Sequence, residues 1–312
     1  MADEPPAPDG AAVLSRAAGL VDLQALGGAP FFLLANVSLR EGNKTVDGVF
    51  AMTWASPGQY HRVFRFPGFE ANEVFADGTM YRKRSTEALP LMMWELDQLL
   101  SLTANYRPGP HSKVRRVQTE GAGSGQTVCV LTQVELIDSR ICVNGATGEP
   151  SFIDRGTDIS RAPSMHEHFE YSDYQPFEGR TFPGKMLFRG WGGREIEVHV
   201  QKLIHAQSFP ENEFAPPKGS SRAHFCENPE TSGEVRGNTG NTIPFGFTDM
   251  EIDFYFQVSP AGGVQYAQVV YSSDPLKNNE VMHWFLGTHF PIKTCSGTPI
   301  GYEMLLRLVA GH

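Results

Sequence analysis

No apolar run in this 312-residue chain is long enough to cross a membrane as a helix. The G-x-S-x-G nucleophile elbow, the phosphate-binding P-loop and the dinucleotide fingerprint are all missing, so common acyl-transfer and nucleotide chemistries lack support. Ala122-Gly123-Ser124-Gly125 is a Gly/Ser loop, but no lysine follows it and no strand–helix context surrounds it. Basic residues are sparse: 26 Lys and Arg against 35 Asp and Glu leave a formal charge of −9. That balance argues against nucleic acid as a partner, because phosphate backbones select basic surfaces. Cysteine is scarce as well, four in all, and no C-x-x-C pair is present to make a zinc knuckle. The opening MADEPPAPDG lacks the basic and apolar regions of a secretory signal and reads as a mature or trimmed N-terminus. No cofactor is expected.

What is abundant is turn chemistry. The chain holds 32 Gly and 22 Pro at 40% hydrophobic content, which fits a turn-rich β protein with real cores and room for two domains. The clearest stretch is Val46–Arg84, where apolar runs alternate with Asp47-Gly48, Ser56-Pro57-Gly58, Pro67-Gly68 and Asp77-Gly78. Such punctuation predicts an antiparallel meander. Side chains alternate along a strand, so Phe50, Met52 and Trp54 share a face of one run and Tyr60, Phe64 and Phe66 share a face of the next, with Arg62 falling among them; one face of the sheet is therefore large, aromatic and Met-bearing.

Before the meander, Gly10–Leu26 carries Val13, Ala17, Leu20 and Leu23 at near-helical spacing, with Asp9 as N-cap and Gly27-Gly28 as the stop. Residues 1–9 are a tail. Pro30–Arg40 reads as the first strand, with Phe31, Leu33, Ala35, Val37 and Leu39 on one side. After the meander, Ser85–Thr103 changes period: Met92, Leu96, Leu99 and Leu100 are spaced for a helix, and Met93 and Trp94 widen its apolar surface. Strands follow at 126–142, from Ser151, at Ser164–Tyr174 and as a pair flanking Gly190–Gly193, with turns at Asn144–Gly148 and Thr181–Gly184. This part amounts to about ten strands and two helices in one curved antiparallel sheet. Phe209–Thr242, rich in Pro, Gly, Ser and Asn, is the boundary. Beyond it come Met250–Val258 and Val264–Tyr271 as a hairpin, Asp274–Gly287 as a helix and Gly301–Val309 as a last strand, in the order β-β-α-β.

Few residues point to chemistry. His166 and His168 share a strand face, a spacing able to bind zinc, with Glu170 as a third ligand; solvent-facing histidines are the bland alternative. Lys113–Arg116 (KVRR) is a small basic cluster, a solvated face or a headgroup contact. Cys129 and Cys142 fall where a hairpin would place them opposite each other; two disulfides or four buried thiols both fit the count.

Two resemblances emerge. Gly48, Phe50, Met52, Trp54, Pro57, Tyr60, Asp77, Gly78 and Tyr81 carry a pattern that resembles the LolA/LolB-type lipoprotein carriers, preceded by a helix. That resemblance implies an antiparallel half-barrel whose concave apolar face, lidded by helices, accepts acyl chains. In this chain the lining would be Leu33 from the first strand, Phe50, Met52, Trp54, Phe64 and Phe66 from the meander, and Met92, Met93 and Leu96 from the helix. The C-terminal sixty residues resemble the TonB C-terminal domain. Val258, Gly262 and Val264, then Ser272, Asp274 and Pro275, then Phe290-Pro291 and Gly297-Thr298-Pro299 carry this second likeness. It implies that the last strand, here Tyr302, Glu303, Met304, Leu305, Leu306, Arg307 and Leu308, can pair with a peptide of a TonB-dependent outer-membrane transporter or another envelope protein.

The expected fold class is therefore α+β: a large curved antiparallel half-barrel with lid helices over 10–218, a linker over 219–245 and a small β-β-α-β domain over 246–312. The expected function is that of a non-enzymatic, periplasmic or otherwise extracytoplasmic binding protein that holds a lipid or lipoprotein acyl chain and docks a protein. Two alternatives stand beside it: an interaction module whose cavity is filled by its own side chains, and a metal-dependent hydrolase built on His166 and His168.

Overall fold

The computed structural model describes residues 9–25, 27–86, 88–107, 112–121, 125–134, 137–156, 167–223, 230–232 and 251–309. The chain divides into two compact units, Met1–Ser221 and Arg222–His312.

The first unit opens with helix α1 (Gly10–Val21), capped by Asp9, whose carboxylate accepts from the Ala11 amide at 3.0 Å. Five strands follow as a meander: β1 (Phe31–Glu41), β2 (Lys44–Ser56), β3 (Gln59–Phe66), β4 (Phe69–Ala76) and β5 (Thr79–Arg84). Helices α2 (Leu91–Leu100) and α3 (Leu102–Tyr106) come next. Then come β6 (Lys113–Glu120), β7 (Thr127–Val134), β8 (Ile137–Asn144), β9 (Pro150–Gly156), β10 (Glu167–Phe177), β11 (Arg180–Gly190), β12 (Arg194–His205) and the short β13 (Ser221–Ala223). All thirteen form one sheet in the order β13-β5-β4-β3-β2-β1-β12-β11-β10-β9-β8-β7-β6. The sheet is curved and open, with its ends at β13 and β6. Two meanders are thus joined through β1 and β12, which pair antiparallel from Phe31–His205 to Glu41–Arg194.

Local chemistry explains the hairpins. Asp77 and Gly78 both adopt left-handed backbone (φ 50° and 70°), which gives the two-residue turn whose twist matches its flanking strands. Glu178 and Gly179 do the same between β10 and β11 (φ 46° and 76°). Gly48 serves a different need: a Cβ there would lie 2.1 Å from the Phe66 ring.

Three expectations are corrected here. Helix α1 ends at Val21 rather than Leu26, because Asp22 leaves helical geometry; Leu23, its N–H bonded to the Val21 carbonyl at 2.9 Å, is still buried in the core. Its buried residues are Gly10, Leu14, Ala17, Ala18 and Val21; of the expected stripe Ala17 and Leu23 are buried, while Val13 and Leu20 pack at the margin of the core. Thr181–Gly184 is no turn; it lies inside β11, with Pro183 opposite Tyr174, and Glu178-Gly179 makes the reversal instead. The helix expected over Ser85–Thr103 is shorter and breaks at Ser101, whose hydroxyl donates to the Asp97 carbonyl at 2.7 Å.

In the second unit β14 (Glu230–Ser232), β15 (Glu251–Val258), β16 (Val264–Ser272), helix α4 (Asn278–Leu286), β17 (Ile292–Cys295), β18 (Thr298–Ile300) and β19 (Tyr302–Val309) follow in order. They form two small sheets, β16-β15-β19 and β14-β17-β18. The expected β-β-α-β order is present, with the β17–β18 hairpin inserted before the last strand. Two three-residue pieces of the expected linker, β13 and β14, are strands. The core is aromatic: Phe254 stacks on Phe285 at 4.2 Å, and Phe256 meets Phe290 at 4.5 Å. Asp274 caps the turn that enters α4 by accepting from Leu276 N–H at 3.3 Å.

Candidate functional site

Alternation places every second residue of β1 and β2 on the face that meets the helices. Register then brings Leu33 opposite Met52, Phe31 opposite Trp54 and Ala35 opposite Phe50. Phe50 in turn faces Phe64, their rings 5.0 Å apart, and Trp54 stacks on Phe31 at 5.6 Å. Leu33, Phe50, Met52, Trp54, Phe64 and Phe66 are all buried in one cluster. From above, α2 inserts Met93, Leu96 and Leu99, while Met92 is half-buried at the margin. Of the nine residues expected to line a cavity, eight are buried in a single apolar cluster and the ninth, Met92, packs against it.

Sequence reasoning missed the other wall of this interior. Phe182, Met186 and Phe188 of β11 and Ile196 and Val198 of β12 belong to the same cluster, as does Phe169 of β10. Their alternation was readable; that β12 lies beside β1 was not. A hydroxyl layer was missed too. Tyr106 of α3 is fully buried, donates to the Cys142 carbonyl at 3.0 Å and accepts from Ser151 N–H at 3.1 Å, which pins α3 to β8 and β9.

At β3, β4 and β5 the same face turns from apolar to charged. Register sets Arg62, Glu73 and Arg82 side by side across three strands. Glu73, 3% exposed, accepts from Arg62 at 2.6 Å and Arg84 at 3.3 Å and has Arg82 Nε 2.7 Å away as an ion pair. The second Nη of Arg62 reaches Asp97 of α2 at 2.7 Å, and its guanidinium lies 5.7 Å from the centre of the Phe64 ring. Burial alone would push the Glu73 carboxyl up; Arg62, Arg82 and Arg84 together outweigh it and hold it down at about 2. Tyr60 stands beside the cluster, stacked on Phe75 at 5.3 Å, its hydroxyl pushed up mainly by burial.

The opposite flank of α2 carries a second ion pair. Glu95 and Arg194 of β12 are almost fully buried and meet through two nitrogens at 2.8 and 2.9 Å. Here burial pushes the Glu95 carboxyl up to about 7; Arg194 pulls against it, while Glu167 and Glu41 add to the rise. Helix α2 is thus tied to β3 by Asp97 and to β12 by Glu95.

The remaining candidates are placed as follows. His166 lies outside the described residues. His168 bonds Asp154 through Nδ1 at 2.7 Å and has Glu170 3.7 Å from Nε2. Among the described residues no group of three or more His, Cys, Asp or Glu is arranged to hold a metal. Lys113–Arg116 is an exposed run at the start of edge strand β6. Cys129 and Cys142 oppose each other in β7 and β8 and are joined by a disulfide; Cys295 is also disulfide-bonded. Tyr302–Leu308 fall in β19, which pairs with β15 on one side and with no other strand among the described residues.

The fold and this interior define an open, curved antiparallel sheet covered on one face by short helices. No protein-family model matches the chain, and no curated protein does. Solved structures similar to it include a LolA superfamily protein from Nitrosomonas europaea, at 9% identity and a TM-score of 0.43 over 67% of this chain and 98% of that one. A DUF1329 family protein from Desulfovibrio piger is similar at 11% identity and 0.45, over 66% and 95%. The Pseudomonas aeruginosa MucA/MucB complex is similar at 12% and 0.33, over 90% and 99%.

Proposed function

We propose that the chain is an extracytoplasmic binding protein whose first unit takes up a lipid or lipoprotein acyl chain between the sheet and α2. The observation that carries this reading is the cover of the apolar face. A ten-residue helix, held at its flanks by Asp97 and Glu95, closes over aromatic and methionine side chains. Displacing that helix opens a dry, adaptable surface, and each methylene buried there contributes about 0.8 kcal/mol. No specific polar contact is needed to hold one chain. The buried Cys129–Cys142 bridge supports an oxidising compartment. No described helix is long and apolar enough to cross a membrane.

The second unit, in this reading, is a TonB C-terminal-like docking module. Its β19 pairs with β15 and with no other strand among the described residues, and an extended peptide of a TonB-dependent transporter or another envelope protein adds to it as a strand. A second reading, a self-filled interaction module without a lipid, is favoured by the packing of all the candidate lining residues into one cluster. Native mass spectrometry and uptake of a fluorescent fatty acid separate the two. Co-purifying lipid or saturable uptake is expected; neither would leave the self-filled module. Docking is tested by NMR titration with a TonB-box peptide. Shifts confined to Tyr302–Leu308 are expected, and none there rules out strand addition at β19.

A further inference from the structure

We propose that the charged patch on β3, β4 and β5 is a head-group site, so that the ligand is an amphiphile with a phosphate or carboxylate head. This rests on the acyl-chain reading above and goes beyond it by specifying the head. Facing residues on β1 and β2 are apolar from Phe31 to Leu39 and from Phe50 to Trp54. Charge enters this face of the meander at Arg62, Glu73, Arg82 and Arg84, adjacent across the sheet.

Within the patch the donors are unequally engaged. Arg62 spends its two Nη atoms on Glu73 and Asp97. Arg82 Nε lies 2.7 Å from Glu73 as an ion pair without hydrogen-bond geometry, and no described residue accepts from its Nη atoms; with 31% of its side chain exposed, that end of the fork reaches solvent. The Tyr60 hydroxyl, two residues from Arg62 on the same strand, has no hydrogen-bond partner among the described residues either. A planar guanidinium edge and a hydroxyl donor beside apolar Phe64, Phe75 and Met80 match an oxyanion attached to a hydrocarbon chain. The carboxylates nearby, Glu73 and Asp97, are already held by arginines, so they orient the donors rather than repel the incoming anion.

Head-group selectivity of the full chain tests this. Tetradecanoate, tetradecyl phosphate, tetradecyl maltoside and tetradecyl trimethylammonium, each below its micelle concentration, and inorganic phosphate by itself are titrated by calorimetry. The anionic pair is expected to bind roughly tenfold more tightly than the maltoside, the factor that one charge-assisted hydrogen bond supplies. Arg82→Gln should bring the anionic heads to the affinity of the neutral one, and Arg82→Lys should retain part of the preference; thermal melts confirm that both variants fold. Equal affinity for all four heads overturns the head-group site and leaves the acyl-chain reading intact. Binding of inorganic phosphate with no binding of any tetradecyl compound overturns both, making the patch a free-anion site. Binding of nothing also overturns both.

Discussion

Glu73 and Glu95 are two buried carboxylates in the same unit with opposite electrostatic fates. Each is 2–3% exposed, so each loses nearly the same hydration. Glu73 sits among three guanidiniums and stays ionised down to about 2. Glu95 has one guanidinium with Glu167 and Glu41 in its field, and rises to about 7. Burial sets the same cost in both places; the number of opposite charges arranged around the group decides which way it moves. Strand register gives Glu73 its arginines on β3 and β5, whereas Glu95 meets Arg194 only because a helix crosses β12.

The largest test removes the hub of the first cluster. Glu73→Ala leaves three arginines without their common carboxylate, and a loss of about 3–5 kcal/mol in urea denaturation is expected. A loss below about 1 kcal/mol would show that the arginines relax into solvent and that Glu73 organises nothing.

The pH dependence comes next, and its two windows have opposite signs. Glu95 has a raised folded pKa, so its contribution is fully present below about 4.5 and is lost as pH rises towards 7. Glu73 has a depressed one, so its contribution is present above about 4.5 and fades as pH falls towards 2. Denaturation across pH 2 to 8 is expected to show stability rising and then declining. Glu95→Gln should flatten the decline, a change on the order of 2 kcal/mol between pH 4.5 and 7. An unchanged decline would assign it to another group.

The smallest expected effect is at the exposed end of the cluster. Arg82→Gln should cost no more than about 1 kcal/mol, since Arg82 is partly solvated and Glu73 keeps Arg62 and Arg84. A larger loss would mean that Arg82 is structural and would weaken its reading as a head-group donor.

Much of this was legible from local chemistry. Asp77-Gly78 announced its hairpin because both residues tolerate left-handed backbone. Phe50, Met52 and Trp54 announced their shared face because strand side chains alternate. Arg62 was visible as a charge among aromatics, yet nothing local named Glu73 and Asp97 as its partners. Thr181–Gly184 misled, since a Phe-Pro-Gly run usually turns, and here Glu178-Gly179 had already made the reversal and strand pairing carried the proline. In α2 the period was right: Met93, Leu96 and Leu99 are buried and Met92 and Leu100 pack at the margin, while Asp97 and Glu95 tie the helix to Arg62 and Arg194.

The sequence by itself determined the strands of the first meander and their inward faces, the capped start of the first helix and the opposition of Cys129 to Cys142, because each follows from backbone preference or alternation over a few residues. The tertiary structure alone decided that β12 lies against β1, that α2 is tied to Arg62 and Arg194, and that Glu73 and Glu95 titrate in opposite directions. Those outcomes depend on groups tens to more than a hundred residues apart, and only their packing into one low-dielectric interior sets the distances on which their energies depend.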